Sequence, residues 1–269
     1  MIAVATASQK GGVGKTTLCV NLAYALARRG WSTLVVDTDP QSGIGLSLTR
    51  SSRAKAGFFD FIGGGVTFER VVLPSRLPEL SILPAGQFDA CARRGLPLHE
   101  MPTRLGDLLR SAELRGFDCL IFDTAAGLTG LTETVVKASD YVLVPQQAEP
   151  LAVRSLPHLL ETLARFRGEG AAVKVAGILL TMVMNDEEMS LQVAREVRQL
   201  LPKDLLFKQS IPRLPSFLEA STAGVPVALL KRNPPPEAVL FEQIAAELEE
   251  RIGLMRDRDT HHRHASLLD

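Results

Sequence analysis

The sequence predicts an α/β protein built on a single doubly wound, mostly parallel sheet with helices on both faces. Three observations predict it. Short apolar runs alternate with stretches of helical periodicity, as in successive strand–helix–strand units. A glycine-rich turn joins the first apolar run to the first helix. Two later runs close on aspartates, Asp37 and Asp123, and ligands of open parallel sheets gather at that end of the strands. A chain of 269 residues fits one large domain better than two. Hydrophobic residues at 46% against 22% charged allow a substantial core.

Ile2-Ala3-Val4-Ala5-Thr6 reads as a short buried strand. A helical pattern follows from about Lys15 to Arg29, with Leu18, Leu22 and Leu26 on one face and Gly30 at its end. Thr33 to Asp37 is a second strand, so the chain opens with a strand–loop–helix–strand unit. Gln41 to Arg76, which contains Gly63-Gly64-Gly65, reads as a loop with one or two short helices. Further strands are expected at Leu80 to Pro84, Cys119 to Asp123, Tyr141 to Val144 and Val173 to Leu180, with a short seventh at Leu205 to Lys208. In the helix after Pro150, Leu156, Leu159, Leu160, Leu163 and Phe166 share a face, and Pro157 suggests a regular part starting near Ser155. The last helix runs from about Pro236 to Ile252. Phe241, Ala245, Leu248 and Ile252 form its apolar stripe, and Glu237, Glu242, Glu247, Glu249 and Glu250 its polar side. The domain is therefore expected over 1–252, with 253–269 a flexible polar tail.

Formal net charge is zero and the pI is near neutral. That excludes a strongly basic nucleic-acid coat but leaves room for a local basic patch. Cys19, Cys91 and Cys119 form no CxxC pair and read as reduced, mostly buried thiols. No basic leader and apolar h-region opens the chain, and no apolar run approaches the ~20 residues of a membrane span. A cytoplasmic protein is expected.

Gly11, Gly12, Gly14, Lys15 and Thr16 follow the first strand and open the first helix. Glycines there let the backbone curl until successive N–H groups point at phosphate oxygens, and the positive end of the helix adds to that field. Lys15 is placed to reach the β- and γ-phosphates. The Thr16 hydroxyl can ligate Mg2+, whose other ligands are mostly phosphate oxygens and water. The expected ligand is ATP with Mg2+, on Gly11, Gly12, Val13, Gly14, Lys15, Thr16 and Thr17. Gln9 stands where the general phosphate-loop pattern has its first glycine, and a second lysine, Lys10, precedes the glycines. Asp37, Asp39 and Asp123 lie at or just past strand ends, near the expected γ-phosphate and metal.

The run Lys10-Gly11-Gly12-Val13-Gly14-Lys15-Thr16-Thr17 resembles the deviant Walker A motif of the ParA/MinD family, P-loop NTPases of the SIMIBI type. The resemblance implies that Lys10 crosses a dimer interface to the partner's phosphates while Lys15 serves its own. Val36-Asp37-Thr38-Asp39-Pro40-Gln41 resembles the family's DxDPQ element, which implies that Asp37 organises the Mg2+ shell and Asp39 orients the attacking water. Asp123 resembles a Walker B aspartate, holding the metal through a water or through Thr16. The segment after it, Thr124-Ala125-Ala126-Gly127-Leu128, lacks the proline that family members usually carry there. Val144 to Pro150, and Ile211-Pro212-Arg213 with Glu219-Ala220, Gly224 and Pro226, resemble the ParA branch and imply that Pro212 lies near the adenine. The resemblance covers about residues 1–250 and is thin from Ser51 to Leu114.

It implies a cycle in which ATP closes a homodimer, the dimer binds a surface, and an unidentified partner protein stimulates weak ATP hydrolysis. For ParA-like members the surface is non-specific DNA, and for MinD-like members it is membrane. The acidic side of the last helix and the non-amphipathic tail favour DNA, with no membrane partner expected. Arg195, Arg198, Lys203, Lys208, Arg213, Lys231 and Arg232 are the candidate phosphate contacts, which implies a nucleoid-associated protein that positions a chromosome, plasmid or protein cargo. Three alternatives stand beside this reading. One is a membrane-associated switch for division-site or flagellar placement, and another a soluble amidoligase or synthetase. The third is an iron–sulfur carrier with Cys91 and Cys119 bridging a cluster, though their surroundings do not resemble that family. His261, His262 and His264 read as tail residues, and His99 and His158 carry no motif.

Overall fold

A computed structural model describes residues 1–41, 43–46, 56–88 and 100–255. Its strands are β1 Ile2–Thr6, β2 Thr33–Asp37, β3 Leu73–Pro74, β4 Leu80–Leu83, β5 Cys119–Asp123, β6 Tyr141–Gln147 and β7 Lys174–Thr181. They form one sheet in the order β3-β4-β2-β5-β1-β6-β7. Every pairing is parallel except β3 with β4. The described helices are α1 Lys15–Arg28, α2 Gly43–Leu46, α3 Phe58–Ile62, α4 Phe68–Val71, α5 Met101–Leu114, α6 Leu131–Ala138, α7 Pro150–Gly168, α8 Glu188–Leu200, α9 Pro215–Ala223 and α10 Glu237–Ile252.

The strands lack polar alternation because both faces of the sheet are covered. Ala3, Ala5, Leu34, Val36, Leu120 and Phe122 enter one core with residues of α3 to α8. Their neighbours Val4, Val35, Cys119 and Ile121 enter a second core with α1, α9 and α10. Leu18, Leu22 and Leu26 of α1 are at most 1% exposed, and each such leucine contributes ~2 kcal/mol by leaving water. The predicted stripe of α10, Phe241, Ala245, Leu248 and Ile252, is buried as a unit against α1 and β7.

β1 lies at the centre of the winding. The chain leaves it through α1 toward β2 on one side, and passes from β5 through α6 to β6 on the other. The carboxyl end of β1 is thus the switch point of the sheet, where such folds bind ligands. Register brings three polar strand ends level there: Thr6 and Asp37 both pair with Asp123.

Four expectations need correction. Leu205 to Lys208 is no named strand; it makes an isolated bridge between Leu206 and Ile178, and the seventh strand is the short antiparallel β3 at the opposite edge. Pro157 does not delay its helix, since α7 starts at Pro150 and runs through it. Pro157 lies on the exposed side of that helix, away from the core packing that a kink would disturb. Glu247 does not belong to a polar side. It is 7% exposed, paired with Arg251 at 2.7 Å, and accepts the Lys208 N–H. The loop expected over Gln41 to Arg76 holds three short helices among its described residues. Cys91, His99 and the tail from residue 256, with its histidines, lie outside the described residues.

Candidate nucleotide site

The turn between β1 and α1 is built from two left-handed glycines. Gly12 has φ 76° and Gly14, the N-cap of α1, has φ 86° with no side-chain cap. The N–H groups at the start of α1 therefore have no side-chain cap, and a helix start left in that state is the arrangement that binds phosphate. The turn is braced from beneath. The Thr181 hydroxyl at the end of β7 donates to the Val13 carbonyl at 2.9 Å, and the Ala7 N–H donates to the Leu143 carbonyl at 3.1 Å. Lys15 is buried beside Asp123.

Asp123 ends β5 with its carboxylate inside the protein. Burial pushes its pKa up from 3.8 to about 6, against the Thr16 hydrogen bond and the Lys15 charge, which pull it down. Its Oδ2 is one of two buried side-chain oxygens without a hydrogen-bond partner among the described residues, the other being Thr6 Oγ1. An acceptor left open beside a threonine hydroxyl suits the water shell of a hydrated Mg2+. Among the described residues no three His, Cys, Asp or Glu side chains gather as a metal cage, so a cation here takes its remaining ligands from phosphate and water. The residues present fit Mg2+ on those terms.

Asp37 is fully buried and holds the loop after β2. Its Oδ1 accepts the Asp39 N–H at 3.1 Å and its Oδ2 the Ile44 N–H at 3.0 Å. That clamp brings Gly43 against Thr16, where an added Cβ would lie 2.7 Å from the threonine hydroxyl. The carboxylate thus shapes the wall of the metal site. Asp39 is half-buried and accepts the Gln41 N–H at 2.9 Å. Thr38 donates to the Asp123 carbonyl through N–H and hydroxyl, at 2.9 and 2.8 Å, which locks the two acidic strand ends together. Gly127, just past Asp123, donates to the Ser8 carbonyl at 3.0 Å. The segment that lacks the usual proline is therefore tied to the front of the phosphate loop.

Lys10 points away from the turn's interior. Its ammonium pairs with the Glu149 carboxylate, whose other oxygen accepts from the Gln147 amide. Glu149 is also the N-cap of α7.

A cleft of about 290 Å³ opens beside the turn, lined by Val13, Gly14, Thr17, Met182, Pro212 and Phe217, among others. Pro212, which the resemblance puts near the adenine, lines this cleft together with Arg213. Met182 has φ 52°, the one left-handed non-glycine among the described residues. Its methyl lies 3.7 Å from where a Gly14 Cβ would stand. Such backbone strain persists where surrounding structure enforces it: Val183 N–H donates to the Ile211 carbonyl and Arg213 N–H to the Val183 carbonyl. Sequence reading missed Glu149 as the Lys10 partner, Gly43 and Met182. Glu149 sat inside a run that resembled the ParA branch; the other two carried no local signal.

The seven basic candidates are all exposed. Arg195 is held by Glu188 at 2.5 Å, and Arg213 borders the cleft. Cys119 is fully buried in β5 and burial pushes its thiol up to about 12, so it cannot reach a cluster at the surface. Burial, then the Asp123 charge, raises Cys19 well above the usual thiol range.

Fold and turn together define a P-loop nucleoside triphosphatase. The family model described as an AAA domain (AAA_31) matches residues 1–174. The chromosome partitioning protein ParA of Caulobacter vibrioides is 33% identical over 238 residues, covering 84% of this chain and 86% of that protein. The chromosome-partitioning ATPase Soj of Thermus thermophilus is 34% identical over 256 residues, covering 93% and 96%. Among solved structures, cobyrinic acid a,c-diamide synthase from Mycobacterium smegmatis with bound ADP and magnesium superposes with a TM-score of 0.71 at 25% identity, covering 91% of this chain and 93% of that one. The chain belongs to the ParA/MinD family of ATPases, whose ligand is ATP with Mg2+.

Proposed function

We propose that this chain is an ATP-hydrolysing switch that closes into a homodimer on binding ATP, holds non-specific DNA in that state, and partitions or positions a chromosome, plasmid or protein cargo. The front of the phosphate loop carries the reading. Gly11 is exposed, has no positive φ, and an added Cβ would meet only the Ala126 methyl, at an ordinary 3.8 Å. Nothing described within the chain demands a glycine there, whereas a second subunit packed on this surface would. Lys10 beside it is 43% exposed and bound to Glu149 rather than to its own loop. Closure exchanges that ion pair for the partner's phosphates.

Within one subunit, the N–H groups of the turn and Lys15 hold the triphosphate. Thr16 and Asp123 are the residues that would hold Mg2+, which when bound would supply charge stabilisation to the transferring phosphoryl group. Asp37 keeps the 38–44 loop against Thr16. Asp39 orients the water that attacks the γ-phosphorus, giving ADP and phosphate. The adenine lies in the cleft beside Pro212. Among the described residues no Asp or Glu lines that cleft, so a guanine edge with its N–H donors meets no carboxylate acceptor among them.

The partition relatives support DNA as the surface. Arg195, Arg198, Lys203, Lys208, Arg213, Lys231 and Arg232 supply the exposed cations. Glu237, Glu242 and Glu250 keep the outer side of α10 acidic, while Glu249 turns to Arg29 and Trp31. An acidic side disfavours an anionic membrane, and no described helix is long and apolar enough to cross one. A synthetase reading draws on the likeness to the diamide synthase and requires turnover that depends on a small co-substrate. The test is ATP hydrolysis with and without non-specific DNA, beside DNA retention at low salt in ATP and in ADP. Retention with ATP alone supports the reading, and its absence at low salt contradicts it.

A further inference from the structure

One wall of the cleft belongs to α9, through Phe217, Leu218 and Ser221. Ala220 is its one buried residue. Phe217 meets the Phe241 ring edge-on at 6.1 Å, and the Ser216 hydroxyl donates to Glu237; both contacts tie α9 to α10. One side chain ties the segment just past α9 to the phosphate-loop helix. Asn21, 5% exposed, sits on α1 with its amide nitrogen donating to the Thr17 carbonyl at 2.8 Å. Its amide oxygen accepts the Val227 N–H at 2.7 Å. Val227 is fully buried in the turn that follows Gly224. Thr17, at the other end of the strut, and Phe217 and Ser221 of α9 all line the cleft.

We propose that Asn21 is a positioning residue for the nucleoside cleft. Through Val227 it sets where α9 stands over the first turn of α1, and so where the Phe217 and Ser221 wall meets the base. The proposal rests on the reading that the base occupies this cleft. A buried Asn satisfied on both sides is well suited to the task, because any other placement of the turn leaves the Val227 N–H without a partner. The phosphate end of the ligand rests on the N–H groups of the turn and on Lys15, none of which is a hydrogen-bond partner of the Asn21 side chain.

The effect is therefore on the base and not on the triphosphate. Titration calorimetry with MgATP and with magnesium tripolyphosphate separates the two. Asn21→Ser keeps a hydroxyl for the Thr17 carbonyl but cannot span to Val227. It is expected to reduce the preference for MgATP over tripolyphosphate roughly five- to tenfold, the range of one buried neutral hydrogen bond, with tripolyphosphate affinity unchanged. Asn21→Asp keeps an acceptor for Val227 and is expected to retain the preference. A folded Asn21→Ser with wild-type preference overturns the assignment. So does an Asn21→Asp that loses the preference, which decides the matter if the serine variant does not fold. A wild-type protein that binds MgATP no more tightly than tripolyphosphate overturns the cleft reading itself, and this proposal with it.

Discussion

Asp123 shows how one side chain couples binding chemistry to stability. Its carboxyl is raised from 3.8 to about 6 by burial, so the folded, nucleotide-free protein binds its proton more tightly than the unfolded chain does. The associated stability is fully present below about pH 4 and is lost as pH rises to 6. At neutral pH the ionised carboxylate is a burden that Mg2+ and nucleotide relieve. Asp123→Asn is therefore expected to raise the melting temperature of the nucleotide-free protein at pH 7.5, by roughly 1–3 kcal/mol in stability, while weakening Mg2+-dependent ATP binding. An unchanged or lower melting temperature contradicts that account. Asp39→Ala removes the group assigned to the water and leaves the phosphate contacts. Its expected phenotype is retained ATP affinity with hydrolysis slowed about 100-fold or more, measured as single-turnover phosphate release. Lys15 and Thr16 were legible as candidates from their place after the glycine-rich turn, and the three aspartates from theirs at or just past strand ends. Glu149, Asn21 and Met182 were not, since their partners lie far away in sequence or arise from a backbone strain that no local pattern announces.

At the scale of elements, the α10 clamp tests how a charge is tolerated inside the fold. Arg251 reaches Glu247, the carbonyls of Ala176, Asp204 and Leu206, and the face of Phe207 at 4.5 Å. Arg251→Ala leaves the Glu247 carboxylate buried beside only the Lys208 N–H, with an expected loss of about 3–5 kcal/mol in denaturant unfolding. Replacing both residues by leucine should restore most of it; a double variant as unstable as the single one contradicts the account. The same clamp explains a misreading. Glutamate every few residues suggested a solvated face, yet Glu247 turns inward because Arg251 stands one helical turn away. The long periodic helices and the central strands were legible, since both depend on runs of apolar residues. The edge strand β3 was not: two residues ending in Pro74 carry no periodicity, and their place depends on the register of β4.

For the whole molecule, the doubly wound sheet followed from the alternation of strands and helices, and the switch point at β1 located the site. What the sequence could not supply was the surface on which the molecule acts. Seven exposed cations on a chain of zero net charge serve the proposed DNA reading through the arrangement of two subunits that the proposed dimer would give them. The dimer is thus the central claim. Sedimentation velocity in MgATP and MgADP, on the wild type and on Lys10→Ala, tests it most directly. The account predicts a wild-type dimer in MgATP only, and a Lys10→Ala protein that binds ATP yet sediments as a monomer. A wild type that stays monomeric in MgATP, or a Lys10→Ala variant that dimerises as the wild type does, contradicts it.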